Sequence, residues 1–248
     1  MPIPDVAAIE AAGLKAWPAL EMERDGAWVL RAANGYTKRA NSVQSMNVAD
    51  DENATARLGY AAEWFKARGL PAVFRVNPLT GKKTLAALRE AKWEEFDESV
   101  VLAADLMRKP QADQRAEYYD VRDPAFLAVQ KALQDYDDAT AQKLGAVLWM
   151  LGVPAAGVVL RVYDRPVASA LIAVADGIAI AGNVVTAKAE RRSGFGRAMM
   201  QSALGWAFDQ GARAAALNML ADNSAASGLY QSLGYRHAYD YSYRRATK

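Results

Sequence analysis

Between residues 183 and 212 the chain reads NVVTAKAERRSGFGRAMMQSALGWAFDQGA, and at its centre three arginines, Arg191, Arg192 and Arg197, surround Ser193, Gly194, Phe195 and Gly196. An apolar, strand-like run precedes this loop and an amphipathic, helix-like run follows it. The first turn of a helix leaves backbone N–H groups without partners, and the aligned peptide dipoles add partial positive charge there. Such a loop suits a phosphate. Glycine lets an oxygen approach with no Cβ in the way and permits positive φ, and the arginines can neutralise one or two phosphate charges. The same residues also fit a solvated basic loop that binds nothing. The loop is not a GxxxxGK[ST] phosphate loop. TGKKT at 80–84 also fails that pattern, because Val76 stands where its first glycine should be. It lacks the third glycine of a dinucleotide fingerprint.

A second group lies at 221–235, ADNSAASGLYQSLGY. On a helix Asn223, Ala226 and Tyr230 share one face, at i, i+3 and i+7, while Leu229 and Leu233 lie on a neighbouring face suited to a core. Gly234 is placed to end the helix. Taken singly, Asn223 also reads as a helix N-cap and Tyr230 as a packing aromatic.

Composition limits the chemistry. The 248 residues can bury a real core as one large domain or two of about half that size. With 30 Lys plus Arg against 28 Asp plus Glu, no global field points to nucleic acid. The absence of cysteine removes disulfides, zinc–thiolate sites and a thiol nucleophile, and a single histidine, His237, removes a multi-histidine metal site. No metal is expected. Asp5 and Glu10 interrupt what a signal peptide would need as an apolar run, and no stretch suits a membrane span. A cytoplasmic protein is expected.

The elements that must position the two motifs can be read in outline. RKPQADQR at 108–115 carries no hydrophobic period and reads as a linker. Before it, the pattern predicts a helix over 4–17, strands turning at Asp25-Gly26 and Asn34-Gly35, a helix over 53–68 ended by Gly69, a strand over 72–76, a helix over 85–91 and a strand over 99–103. After it come helices opened by Asp123-Pro124 and over 139–150, then strands over 157–163, 168–174 and 178–186 in an antiparallel meander. A gap-free comparison at an offset of 142 places Asn41 on Asn183, Val43 on Val185, Trp64 on Trp206, Gly69 on Gly211 and Trp93 on Tyr235. The shared order of elements argues for a duplicated unit. The copies differ at the motifs: opposite Arg191, Gly194 and Gly196 stand Ala49, Glu52 and Ala54, and opposite Asn223 and Tyr230 stand Gly81 and Leu88.

Both motifs together, with a glycine-ended helix and a strand between them, resemble the GNAT superfamily of acyl-CoA-dependent N-acetyltransferases. Its pattern is [QR]-x-x-G-x-[GA] followed by N-x-x-A-x-x-L-Y-x-x-x-G-[FY]. Arg191, Gly194 and Gly196 match the first part, and Asn223, Ala226, Leu229, Tyr230, Gly234 and Tyr235 match the second without departure. The resemblance implies an α/β (α+β) chain of two tandem GNAT-like domains, each with a mixed, mostly antiparallel central sheet flanked by helices. Residues 1–108 would be a degenerate copy without an acyl-CoA site, 109–116 a linker and 117–248 the catalytic domain.

By the same resemblance the pyrophosphate of acetyl-CoA lies on the backbone from Arg192 to Arg197, and the pantetheine arm runs beside Val184, Val185 and Thr186. The acyl group passes directly to a primary amine of a small molecule or peptide. A backbone N–H such as that of Val185 would stabilise the oxyanion, and Tyr230 would serve as acid to the departing thiolate. Residues 181–186 offer no carboxylate, so no general base is named. A homodimer is compatible with this reading. The competing reading is a non-catalytic acyl-CoA-binding or regulatory module of the same fold. The tail AYDYSYRR at 238–245 fits either an acceptor-site lining or an alternating strand.

Overall fold

Local signals start most elements where the sequence places them. Asp5 caps α1 (Val6–Ala16) by accepting the Ala8 N–H at 2.8 Å. Gly26, at φ +57°, turns β1 (Glu21–Asp25) into β2 (Trp28–Ala32). There follow β3 (Val43–Ser45), α2 (Ala54–Lys66), β4 (Val73–Val76), α3 (Lys82–Glu90) and β5 (Glu94–Asp105). A short strand not expected from the sequence, β6 (Ala116–Tyr119), leaves the linker. The Asp123-Pro124 pair opens α4 (Pro124–Gln134), with Asp123 accepting the Ala125 N–H. After α5 (Asp138–Trp149) come β7 (Ala155–Val162), β8 (Arg165–Ala175), β9 (Ile178–Thr186), α6 (Phe195–Asp209), β10 (Ala214–Leu220), α7 (Ser224–Ser232) and β11 (Arg236–Arg245). The structure is a computed structural model and describes residues 3–246. No described helix is long and apolar enough to cross a membrane.

The repeat is visible in the elements. Adding 142 to Lys82–Glu90 gives 224–232, the span of α7, and adding it to Glu94 gives 236, the start of β11. Gly69 and Gly211 both adopt positive φ as α2 and α6 end. The two units share one sheet of eleven strands, in the order β1-β2-β3-β4-β11-β5-β10-β9-β8-β7-β6. Each repeat lends its last strand to the other. β5 lies antiparallel to β10, with Leu102 opposite Leu217, and β11 lies antiparallel to β4, with Ser242 opposite Val76. β5 and β11 also pair with each other about the centre.

Alternation explains why β11 can be central. Tyr239, Tyr241 and Tyr243 are buried together with Val73 and Val101, while Ser242 and Arg244 reach the Glu95 carboxylate at 2.6 and 2.8 Å. Helices α1, α4 and α5 cover that tyrosine-bearing face of the sheet. The other face is covered by α2 and α3 in the first repeat and by α6 and α7 in the second.

The exchange makes an expected outcome definite. Residues 1–108 without β11, or 117–248 without β5, would expose a long apolar strand edge. Expressed alone, each half is expected to aggregate, and co-expression is expected to recover a soluble complex. Two separately soluble, cooperatively unfolding halves would overturn this reading of the interface.

Candidate active site

Strands β9 and β10 run parallel and pair from Ile178 with Ala214 to Ala181 with Leu217, where the pairing stops. Beyond that point β9 bulges: Leu171 of β8 faces Gly182 and Ser169 faces Val185, so β9 carries an extra residue. Asn183 takes the left-handed conformation, φ +48°. Its carbonyl accepts from the side chains of Gln130 and Gln134, both at 3.3 Å, and its side-chain amide donates to the Tyr36 hydroxyl at 3.3 Å. The parted strand ends and α7 enclose a cavity of about 230 Å³. Val184 lines it, whereas Val185 returns to the ladder with β8.

The basic loop leaves the same end of β9. A single 3-10 turn, Lys188–Glu190, leads through Arg191, Arg192 and Ser193 to Gly194, the N-cap of α6. Arg192 and Gly194 both have positive φ, +65° and +83°. Open space surrounds the missing side chain of Gly194, so its requirement is conformational. Gly196 has a different reason: a Cβ there would stand 2.8 Å from Thr186 Oγ1 and 3.6 Å from Leu229, so glycine lets α6 close onto β9. Arg191 reaches only the Thr186 carbonyl, at 3.5 Å, and Glu190 is held by Arg165 at 3.6 Å. Among the described residues Lys188, Arg191, Arg192 and Arg197 have no carboxylate within ion-pair distance. Their charge and the N-terminus of α6 are directed at the same solvent-facing loop.

The corresponding positions of the first repeat carry acids. Asp51 accepts the backbone N–H groups of Lys83 and Thr84, at 2.6 and 2.8 Å, and so caps α3. Asp50 accepts the Ala27 N–H at 2.6 Å, which with Arg57 holds its carboxyl below the usual carboxylate range. Two fixed carboxylates and the exposed Glu52 thus stand opposite Arg192, Ser193 and Gly194 of the second repeat's loop.

On α7, Asn223 is an N-cap: its Oδ1 accepts the Ala226 N–H at 3.1 Å. Tyr230 packs edge-on against Tyr235, ring centroids 5.8 Å apart, and lines the cavity. The Tyr235 hydroxyl is sealed and unpartnered. The Tyr230 hydroxyl is also unpartnered among the described residues, but it is not sealed. Burial pushes the Tyr230 phenol up to about 12. Leu88, its counterpart, is fully buried in the core of the first repeat.

The family described as "Probable histone acetyltransferase Rv0428c C-terminal" matches residues 4–244 of this chain. The chain belongs to that family. It is an acetyltransferase of the GNAT type. A relative from Bacillus subtilis described as an uncharacterized N-acetyltransferase, YobR, is 27% identical over 245 residues, spanning 97% of this chain and 98% of the relative. In fold, the chain is similar to a GCN5-related N-acetyltransferase from Kribbella flavida, with TM-score 0.74, 19% identity, and coverage of 98% and 96% of the two chains. It is also similar to a tandem GNAT protein from the clavulanic acid biosynthesis pathway, with TM-score 0.66, 12% identity, and coverage of 97% and 88%.

The cavity has a second side that the motifs do not reveal. Arg39, from the first repeat, lines the cavity together with Asn218 of β10. Behind them Glu10 of α1 receives Arg75 Nη2 and the Tyr239 hydroxyl, both at 2.6 Å, and Arg75 also reaches Asn218 Oδ1 at 3.3 Å. Arg39 lies outside both motifs and has no cationic counterpart at position 181. His237 lies exposed at the start of β11, bonded to Asp240 at 2.7 Å, and does not line the cavity. Among the described residues no cluster of His, Cys, Asp and Glu could hold a metal ion.

Proposed function

We propose that this acetyltransferase takes its acetyl group from acetyl-CoA and passes it to a primary amine of a small molecule or peptide, at one site in residues 117–248. The observation that carries the reading is the placement of an uncompensated cationic helix N-terminus at the end of β9, beside a strand splay that contains the free hydroxyl of Tyr230. The backbone of Arg191, Arg192, Ser193, Gly194, Phe195, Gly196 and Arg197 would hold the pyrophosphate. Val184, Val185 and Thr186 would run beside the pantetheine, and Asn223 and Ala226 would shape the far wall. The acids at 50–52 support the view that the first repeat binds no acyl-CoA.

The nitrogen lone pair attacks the thioester carbonyl, the carbon–sulfur bond breaks, and CoA departs as a thiolate while the nitrogen yields its proton to water. A backbone N–H of the bulged segment 183–185 stabilises the oxyanion. A phenol near 12 is a weaker acid than a thiol of pKa ~8.5, so Tyr230 stabilises the departing sulfur by a hydrogen bond rather than by giving up its proton. No carboxylate lines the cavity, so the amine enters as the free base.

Thiol release from acetyl-CoA, followed with a library of primary amines, tests the reaction. Amine-dependent turnover is expected, together with a single acetyl-CoA site per chain by calorimetry. Release independent of amine, or two equivalent sites, would overturn it.

A further inference from the structure

Arg39 belongs to the first repeat, in a one-turn 3-10 helix (Lys38–Ala40), yet its guanidinium reaches the second. A Cβ built on Gly182 would lie 4.0 Å from Arg39 Nη2 and 3.9 Å from the Trp17 ring. Gly182 is the first residue of β9 beyond the last paired residue, Ala181. The charge therefore stands at the apex of the splay, on the α1 side of the sheet, whereas Tyr230 enters from the α7 side. A donor molecule bound along α6 and α7 would leave the Arg39 side to the acceptor.

The guanidinium of Arg39 is half-buried and lies over Trp17, 5.1 Å from the ring centroid. Among the described residues it has no hydrogen bond and no carboxylate partner. Other arginines held in the protein have carboxylate or carbonyl partners. Arg57 meets Asp25 and Asp50, Arg161 meets Glu117, and Arg75 meets Glu10. Arg31 donates to the carbonyls of Arg39 and Trp17. A planar fork of five N–H donors, stacked on an aromatic ring and open towards a cavity, is arranged for a carboxylate.

Its surroundings add to the surplus. A small cavity of about 30 Å³ beneath α1 is lined by Glu10, Arg31, Arg39, Arg75 and Asn218, and it shares Arg39 and Asn218 with the cavity of the splay. Three guanidiniums face one carboxylate there, a net charge of +2. Burial, followed by the charges of Arg39 and Arg75, lowers Arg31 to about 10, so it remains charged at neutral pH.

We infer, building on the proposed transfer to an amine, that the acceptor is a small amine that also carries a carboxylate, and that Arg39 holds this carboxylate while the amine faces the splay. The carboxylate completes the donors of Arg39 and offsets the surplus charge. A lysine-rich peptide would bring like charge to the same place and is disfavoured.

The test compares kcat/KM for thiol release with three acceptors of equal chain length: an ω-amino acid, its carboxamide and the corresponding diamine, over a series of lengths. The wild-type enzyme is expected to favour the amino acid by about 30-fold over the carboxamide, the scale of a charge-assisted pair in a partly buried site. Arg39→Gln should bring that ratio near unity, Arg39→Lys should retain part of it, and Arg39→Glu should make the diamine the best of the three. A wild-type enzyme that turns over acid and carboxamide equally, or an Arg39→Glu enzyme that loses all three in proportion, would overturn the assignment. Absence of thiol release with every amine would instead overturn the transferase reading on which it rests.

Discussion

Glu10→Ala is expected to lower the stability of the folded chain by about 3–5 kcal/mol, the usual cost of leaving a buried cation without its partner. Glu10 and Arg75 are both 4% exposed, and Glu10 Oε1 receives Arg75 and Tyr239 while Oε2 receives Gln44 at 3.0 Å. Alanine removes the one negative charge from a region that also contains Arg31 and Arg39. It takes the carboxylate acceptor from three donors at once. Glu10→Gln keeps acceptor oxygen at the site and should cost less, so the difference between the two variants isolates the packing and hydrogen-bonding loss from the loss of charge. Thermal unfolding would read the alanine variant as a fall in Tm on the order of 6–20 °C for a chain of this size. A shift within the ordinary scatter of surface substitutions, about 0.5 kcal/mol, would mean that the ion pair does not hold α1 against the exchanged strands.

The parts of the site legible in sequence were those fixed by local backbone demands. Positive φ at Gly194, capping by Asn223 and the i, i+3, i+7 face ending at Tyr230 each follow from a few neighbouring residues. The strand exchange was not legible, because it depends on which edges meet at long range. The apolar pattern marks only 99–103 of β5, yet the strand begins at Glu94. Its first residues are polar and are held by Arg244 on Glu95 and Arg245 on Glu94, at 2.8 and 3.1 Å. In sequence Gly196 reads as room for phosphate, and the structure adds a packing demand, since a Cβ there would stand 2.8 Å from Thr186 Oγ1. Arg39 is not legible for the same reason as the exchange: its reach to Gly182 crosses between repeats, and no periodicity records that.

The exchange also bears on how the site is built. β10 carries the far wall of the splay, and its outer neighbour is β5 of the first repeat, so Asn218 stands opposite Val101. The first repeat thus supplies structural support at β5 and charge at Arg39, while its own loop positions hold Asp50 and Asp51 in fixed hydrogen bonds. Under the proposed function, in which the first repeat binds no acyl-CoA, that repeat still serves as a wall of the proposed site.

Tyr230→Phe is expected to lower kcat by ~10²-fold while acetyl-CoA affinity and stability change little, the scale seen when one donor to a developing negative charge is deleted. The attribution is clean because the hydroxyl has no partner among the described residues, so its removal breaks no bond there, and the ring keeps its edge-on contact with Tyr235. Leu88→Ala in the first repeat supplies the contrast, since it opens a core cavity and should cost stability by about 2–5 kcal/mol. With its pKa raised from 10 to about 12 by burial, Tyr230 stays a donor throughout the working range. The rate should therefore rise as the amine deprotonates, with no descending limb below about pH 11. For stability the sign is the same: the neutral phenol favours the folded chain, its contribution is complete below pH 10, and it is lost as pH climbs towards 12. Single-turnover acetyl transfer makes the measurement, because slow product release would otherwise hide the loss. A Tyr230→Phe enzyme with the wild-type single-turnover rate would reduce Tyr230 to a wall of the cavity and leave thiolate departure to water.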